Sequence, residues 1–215
     1  MIKKLLVFFL ITFLSILPSK IVFSKSENSI IISVGNNPIT RVDLIKEIKL
    51  IAILSNTEIN KSNRDQIRGL AVKSLIKRNI KDSEIKRRNI FKYNQKQLST
   101  IINNTSLKLG VDQNGLKEIL KKNNLSFEEL VKRFETDLKW NYMIFQIYKN
   151  KISLNTAEIE NKIQLRLNAS QTQNNQEKIV AIKESIVNEE KEKKLMMFSN
   201  MHFSNLERSI QIKFL

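Results

Sequence analysis

A chain of 215 residues with one histidine and no cysteine has few groups for catalysis. His202 has no thiol or second imidazole to work with, which excludes thiol nucleophiles, disulfides and His/Cys metal sites. Its neighbours Met201 and Phe203 point to a partly buried helix position. The acid pairs Glu128-Glu129 and Glu189-Glu190 are adjacent in sequence, so the members of each pair face different sides of a helix. Helix capping or solvation accounts for them better than acid/base work. The chain has no P-loop, glycine-rich dinucleotide loop or metal triad, and neither ATP nor any other cofactor is expected.

The informative side chains are apolar. Trp140, Tyr142, Phe145 and Tyr148 fall within nine residues, and Met196, Met197, Phe198, Met201 and Phe203 within eight. Flexible thioethers and broad aromatic faces suit binding of varied apolar peptides. These nine residues form the candidate peptide-binding set; the alternative is that both clusters are core.

Helices must position them. With four Gly and two Pro, the chain is poor material for a turn-rich sandwich or barrel. Thr40 with Asp43 reads as a capping-box variant before Leu44, Ile45, Ile48, Ile51 and Ile53. After a polar break at 56–61, Ser62 with Asp65 repeats the signal, and Ile67, Leu70, Ala71, Leu75, Ile76 and Ile80 continue a helix toward Arg88. Asn94 with Gln97 opens a third helix, ending near Gly110. Val111-Asp112 starts a short helix that Asn123-Asn124 breaks. Ser126 with Glu129 caps the helix that carries Trp140 to Tyr148. Another begins at Asn155 or Thr156 and runs through Ile159, Ile163 and Leu167.

Residues 168–177, NASQTQNNQE, read as a polar linker. Beyond it, Ile179, Ile182 and Ile186 mark one face of a long helix. Glu189 to Lys194 is charged throughout and is expected to stand in solvent or to bridge two packed regions. At Ile210 the apolar period becomes two, which predicts a strand over Ile210–Phe214. Its best partner is Ile30–Val34, so the two ends of the chain are expected to pair. The segment Gly35-Asn36-Asn37-Pro38 reads as a turn.

Residues 1–24 resemble a secretory signal peptide. Lys3 and Lys4 precede an apolar run over Leu5–Leu17 that is too short for a bilayer core of about 30 Å, and Val22-Phe23-Ser24 approximates a cleavage site. An uncleaved anchor is the alternative, and either version exports the rest to the periplasm. Cleavage removes three lysines and no acid, taking the formal charge from +16 to +13. Such a charge favours acidic partners. The densest basic run is KRNIKDSEIKRR, Lys77–Arg88.

The order of elements resembles the SurA-like periplasmic chaperones. Val34-Gly35-Asn36-Asn37-Pro38-Ile39 resembles the turn after that family's first strand, with Gly35 as an insertion. Leu70 to Ile76, LAVKSLI, matches its next helix. Leu125 to Leu130, LSFEEL, and Ile152 to Ile159, ISLNTAEI, resemble a helix start and the exit segment, and Ile210–Leu215 resembles the terminal strand. The resemblance covers residues 28–167 and 178–215. It implies a mainly α core of the family's N-terminal type, with a small two-stranded pairing of the terminal strands. Residues 25–167 would form the helical domain, residues 168–177 would stand where the family carries parvulin-type rotamase domains, and residues 178–215 would complete the core. A parvulin domain needs roughly a hundred residues, for which there is no room, so isomerase activity is not implied. The implied function is ATP-independent holding of unfolded outer-membrane or exported polypeptides, with no nucleic-acid partner. A basic envelope adaptor on an anionic membrane surface is the other class the charge allows.

Overall fold

A computed structural model describes residues 28–170 and 176–215. The signal-like segment 1–24 lies outside the described residues, as does the middle of the polar stretch. Strand β1 (Ile30–Val34) passes through Gly35 and Asn36 into β2 (Asn37–Thr40). Seven helices follow among the described residues: α1 (Arg41–Leu54), α2 (Arg64–Arg87), α3 (Gln95–Lys108), α4 (Gln113–Lys122), α5 (Phe127–Tyr148), α6 (Thr156–Ser170) and α7 (Gln176–Ser209). A 3-10 turn at Lys149–Lys151 precedes α6, and β3 (Ile212–Phe214) comes last. The protein is mainly α with a small antiparallel sheet.

The terminal strands pair, as the alternating pattern predicts: Val34 lies opposite Ile212, Ser33 opposite Lys213 and Ile32 opposite Phe214. The sheet has three strands rather than two, in the order β2-β1-β3. The expected four-residue turn shrinks to Gly35-Asn36, because Gly35 takes φ +56 and reverses the chain at once. Pro38 then sits in β2, an edge strand, where its missing N–H is tolerated.

Helix starts follow the capping signals. The Asp43 N–H donates to Thr40 Oγ1 (3.2 Å) while the Thr40 N–H donates to Asp43 Oδ2 (2.8 Å). Asn94, Asp112, Ser126 and Asn155 accept from the N–H groups of Gln97, Gly115, Glu129 and Glu158. Ser62 does not cap α2. Its hydroxyl and N–H both donate to Asn60 Oδ1 (2.6 and 2.9 Å), a local turn that competes with capping, and the helix starts after Asn63 without a side-chain cap.

Helix ends use asparagine. α1, α2 and α4 stop with Asn56, Asn89 and Asn124 at φ 50, 54 and 57, and α3 stops with Gly110 at φ 72. In α2 the Asn89 N–H donates to the Lys86 carbonyl and the Ile90 N–H to the Ile85 carbonyl, both at 3.0 Å, the paired bonds of a Schellman ending. The same double bond closes the other three. Asn tolerates the left-handed region well enough to replace Gly there, so a chain with four glycines still turns often.

The core gathers where the ends meet. Ile32, Val34 and Ile39 from the sheet pack on Leu44, Ala71, Leu75, Ile76 and Ile80, with Phe203, Leu206, Ile210 and Ile212 against them. A second cluster joins Ile85 to Trp140, Met143, Ile144 and Tyr148, with Leu195, Phe198 and Phe203 from α7. There the Trp140 indole donates to Ser199 Oγ (2.7 Å), and the Tyr148 and Phe198 rings stack at 4.7 Å. The hydroxyl of Tyr148 meets His202 Nδ1 at 3.0 Å, while His202 Nε2 lies 3.4 Å from Glu84 Oε1. His202 is thus part of the seam between α7 and the body.

The polar stretch is shorter than composition predicts. Asn168–Ser170 and Gln176-Glu177 are helical, since polar residues fit the exposed side of two helices packed on Ile163, Leu167 and Ile186. The charged run of α7 bridges. Arg166 donates to both Glu189 oxygens (2.7 and 3.0 Å), and Lys162 donates to Glu190 (3.0 Å).

Replacing Trp140 by Ala removes a side chain that is 1% exposed and should destabilise the protein by about 3–5 kcal/mol, read as a lowered urea midpoint; an unchanged midpoint would mean that the α5–α7 seam does not hold the fold. Burial raises the pKa of Glu84, but hydrogen bonds and charge from Arg87 and Arg88 outweigh it and hold the carboxyl at about 2. Its stabilisation is therefore complete above pH 4.5 and lost as pH falls through about 2. Glu84→Gln should lose less stability than the parent over that window, and equal losses in parallel urea titrations would contradict this.

Candidate binding surface

The nine sequence-predicted residues divide by helix face. Trp140 and Tyr148 are buried, and Phe198 and Phe203 are half-buried against them. These four form the contact between α5 and α7 rather than a free surface. On α7, Leu195, Phe198, Ser199, His202, Phe203 and Leu206 face inward, while Met196, Met197 and Met201 are exposed at 64%, 50% and 45%. On α5, Phe145 is exposed and Tyr142 half-buried.

Tyr142 is the predicted residue that lines a cleft. It stands with Phe91, Lys92, Tyr93, Asn94 and Gln95 around a hollow of ≈ 440 Å³. Phe91, 78% exposed, is a wall shared with a larger cleft of ≈ 690 Å³ between α2, α4 and α5. The floor of that cleft is Ile85, Ile90, Phe127 and Val131, and its rim carries Lys86, Lys117, Lys132 and Lys139 with Asp82, Glu128 and Glu135. Asp82, Lys132 and Thr136 in turn line a third cleft of ≈ 330 Å³ toward α1. Its apolar lining includes Ile39, Leu50, Leu75, Leu125 and Leu130. The three hollows adjoin along the α2–α5 seam.

Local structure explains the placement. The Schellman ending of α2 brings Ile90 back onto the core and turns the chain outward at Phe91. Tyr93 is pinned: its hydroxyl donates to Glu135 (2.9 Å), which raises its pKa, and Lys139 Nζ lies 5.2 Å from its ring centre. Lys117 Nζ lies 5.2 Å from the Phe127 ring. The Ser126 hydroxyl donates to Glu128 (2.6 Å) and lowers that carboxyl's pKa. Lys132 makes no ion pair among the described residues.

In the third cleft Glu47 is 3% exposed and takes Arg78 on one oxygen and Arg133 on the other (2.9 Å). A carboxylate so paired is structural, tying α1 to α2 and α5. Among the described residues no three His, Cys, Asp or Glu side chains gather to hold a metal, and no helix is long and apolar enough to cross a membrane.

Sequence reasoning passed over Phe91, Tyr93, Phe127 and Val131 as site residues. The available signal was Ile90-Phe91 inside a helix break, where two large apolar residues have no helical face to join.

No protein-family model and no curated protein matches the chain.

Phe91→Ala should leave stability within about 0.5 kcal/mol, as for an exposed residue outside any network, yet weaken capture of an unfolded apolar polypeptide; if stability drops instead, Phe91 is a packing residue and not a contact surface.

Proposed function

We propose that the protein is an ATP-independent chaperone of the SurA-like kind, without rotamase modules, that holds unfolded exported or outer-membrane polypeptides in the periplasm. The observation that carries the reading is the set of adjoining clefts along α2–α5, with an apolar floor and a lysine-bearing rim around exposed Phe91. An extended client segment lays apolar side chains on Ile85, Ile90, Phe127 and Val131, and the rim keeps its polar backbone wet. Exposed Met196, Met197 and Met201 offer an adaptable second contact. No bond is made or broken, so the reading needs no catalytic group.

The competing reading, a basic adaptor on anionic membranes, draws on the +13 charge that remains after cleavage and on Lys77–Arg88. Most cations of that run have protein partners: Arg78 with Glu47, Lys81 with Asp137, Lys86 with Asp82, and Arg87 and Arg88 with Glu84. Lys77 lies 5.7 Å from the Phe203 ring centre. These pairs hold Arg78 and Lys81 against the body, while Lys86 and Arg87 still face solvent.

Light scattering of a denatured outer-membrane barrel protein, diluted with and without this chain, tests the proposal. Aggregation should fall at several-fold excess of the chain and still fall when salt is raised, since apolar contact is not screened beyond the Debye length of about 8 Å as exposed charge is. Equal aggregation in both dilutions would sink the idea, and suppression that vanishes with salt would favour the adaptor.

A further inference from the structure

Strand β3 is an edge of the sheet. Its inner side is taken: the Gly35 N–H donates to the Gln211 carbonyl (2.8 Å) and the Leu215 N–H to the Ile31 carbonyl (3.0 Å). In an antiparallel ladder the backbone groups of successive residues point to opposite sides. With Gln211, Lys213 and Leu215 turned toward β1, Ile212 and Phe214 turn their N–H and C=O outward. Among the described residues no strand accepts them. The side chains along this edge are apolar and open, with Phe214 70% and Leu215 74% exposed. Unpaired backbone beside exposed apolar side chains is a template for another strand.

The occupant follows from Lys213, which is exposed and lies between the two outward-bonding residues. If a second copy paired its own β3 here with Ile212 opposite Phe214, the two Lys213 side chains would stand directly opposite each other, a destabilising like-charge pair. In that register, the one that pairs both outward-bonding residues, the edge therefore resists self-pairing. A segment with a carboxylate opposite Lys213 and apolar residues on either side matches both the charge and the flanking apolar surface.

We propose that the open edge of β3 takes up an extended polypeptide segment in which an acidic residue stands between apolar ones, adding a fourth strand to the sheet. The surface lies across the sheet from β2 and shares no residue with the α2–α5 clefts, so it stands or falls apart from them.

Fluorescence anisotropy with the full chain tests it, using two labelled seven-residue probes of alternating Val and Thr that carry Glu or Lys at the centre. The Glu probe should bind about two- to thirtyfold tighter than the Lys probe, given the size of cross-strand charge pairs, and Lys213→Glu should reverse that order. N-methylation of the probe amides that face β3 should abolish binding, whereas methylation of the alternate amides should not. Phe91→Ala should change none of this. Equal affinities, no binding of either probe, or no reversal in Lys213→Glu would overturn the proposal. So would a parent-chain dimer in sedimentation that Phe214→Pro dissolves, which would assign the edge to a second copy.

Discussion

Strand β1 cannot stand with one neighbour. Ile32 and Val34 are each 2% exposed, and buried N–H and C=O groups beside them need partners on both sides. β2 supplies one side from the next residues in the chain. The other side is supplied by β3, from the far end of the sequence. That requirement sets the course of α7, which must lead back to the sheet, and its inward stripe of Leu195, Phe198, Phe203 and Leu206 completes two core clusters on the way. Most of the body's helix–helix geometry then has a reason. α2 and α5 form the surface that α7 covers on one side, and elsewhere along the same seam they leave the clefts.

Charge follows a similar economy. Glu47 and Glu84 are both 3% exposed, and each is met by two arginines: Arg78 and Arg133 for the first, Arg87 and Arg88 for the second. A buried carboxylate with one partner is costly, and extra charged hydrogen bonds offset the desolvation. The Glu47 set ties α1 to α2 and α5, whereas Glu84, Arg87 and Arg88 all belong to the C-terminal end of α2. Each set keeps one positive charge in excess, since two arginines meet one carboxylate, so the pairing fixes where the charge sits and does not remove it.

Much of the fold was legible because its rules are local. Thr40-Asp43, Asn94-Gln97 and Ser126-Glu129 mark helix starts by capping chemistry that needs no tertiary context. The period-two pattern at Ile210–Phe214 requires a strand partner, and Ile30–Val34 was the β-rich choice. β2 was harder to see, since Asn37-Pro38 reads as turn and Thr40 as a helix cap, and the four residues become a strand only through their neighbour. The candidate surface was less legible than the fold. Aromatic density pointed to Trp140 and Tyr148, but Trp140, Ile144 and Tyr148 repeat every four residues on one face, the arrangement of a core stripe. Phe145 falls off that face and Phe91 falls off any helix, and both are exposed.

The position of Phe91 shows how far local chemistry reaches into the proposed function. Asn89 can adopt φ 54 at little strain, so α2 ends in two hydrogen bonds rather than fraying. Those bonds fix Ile90 against the core, and with Ile90 fixed the next side chain must point away from it. A glycine at 89 would allow the same ending with a looser unfolded chain, whereas a β-branched residue would not allow it. The wall shared by two clefts is therefore a consequence of one helix cap. That cap sets where the chain leaves the core, and so the exposed position from which the Phe91 ring walls both clefts.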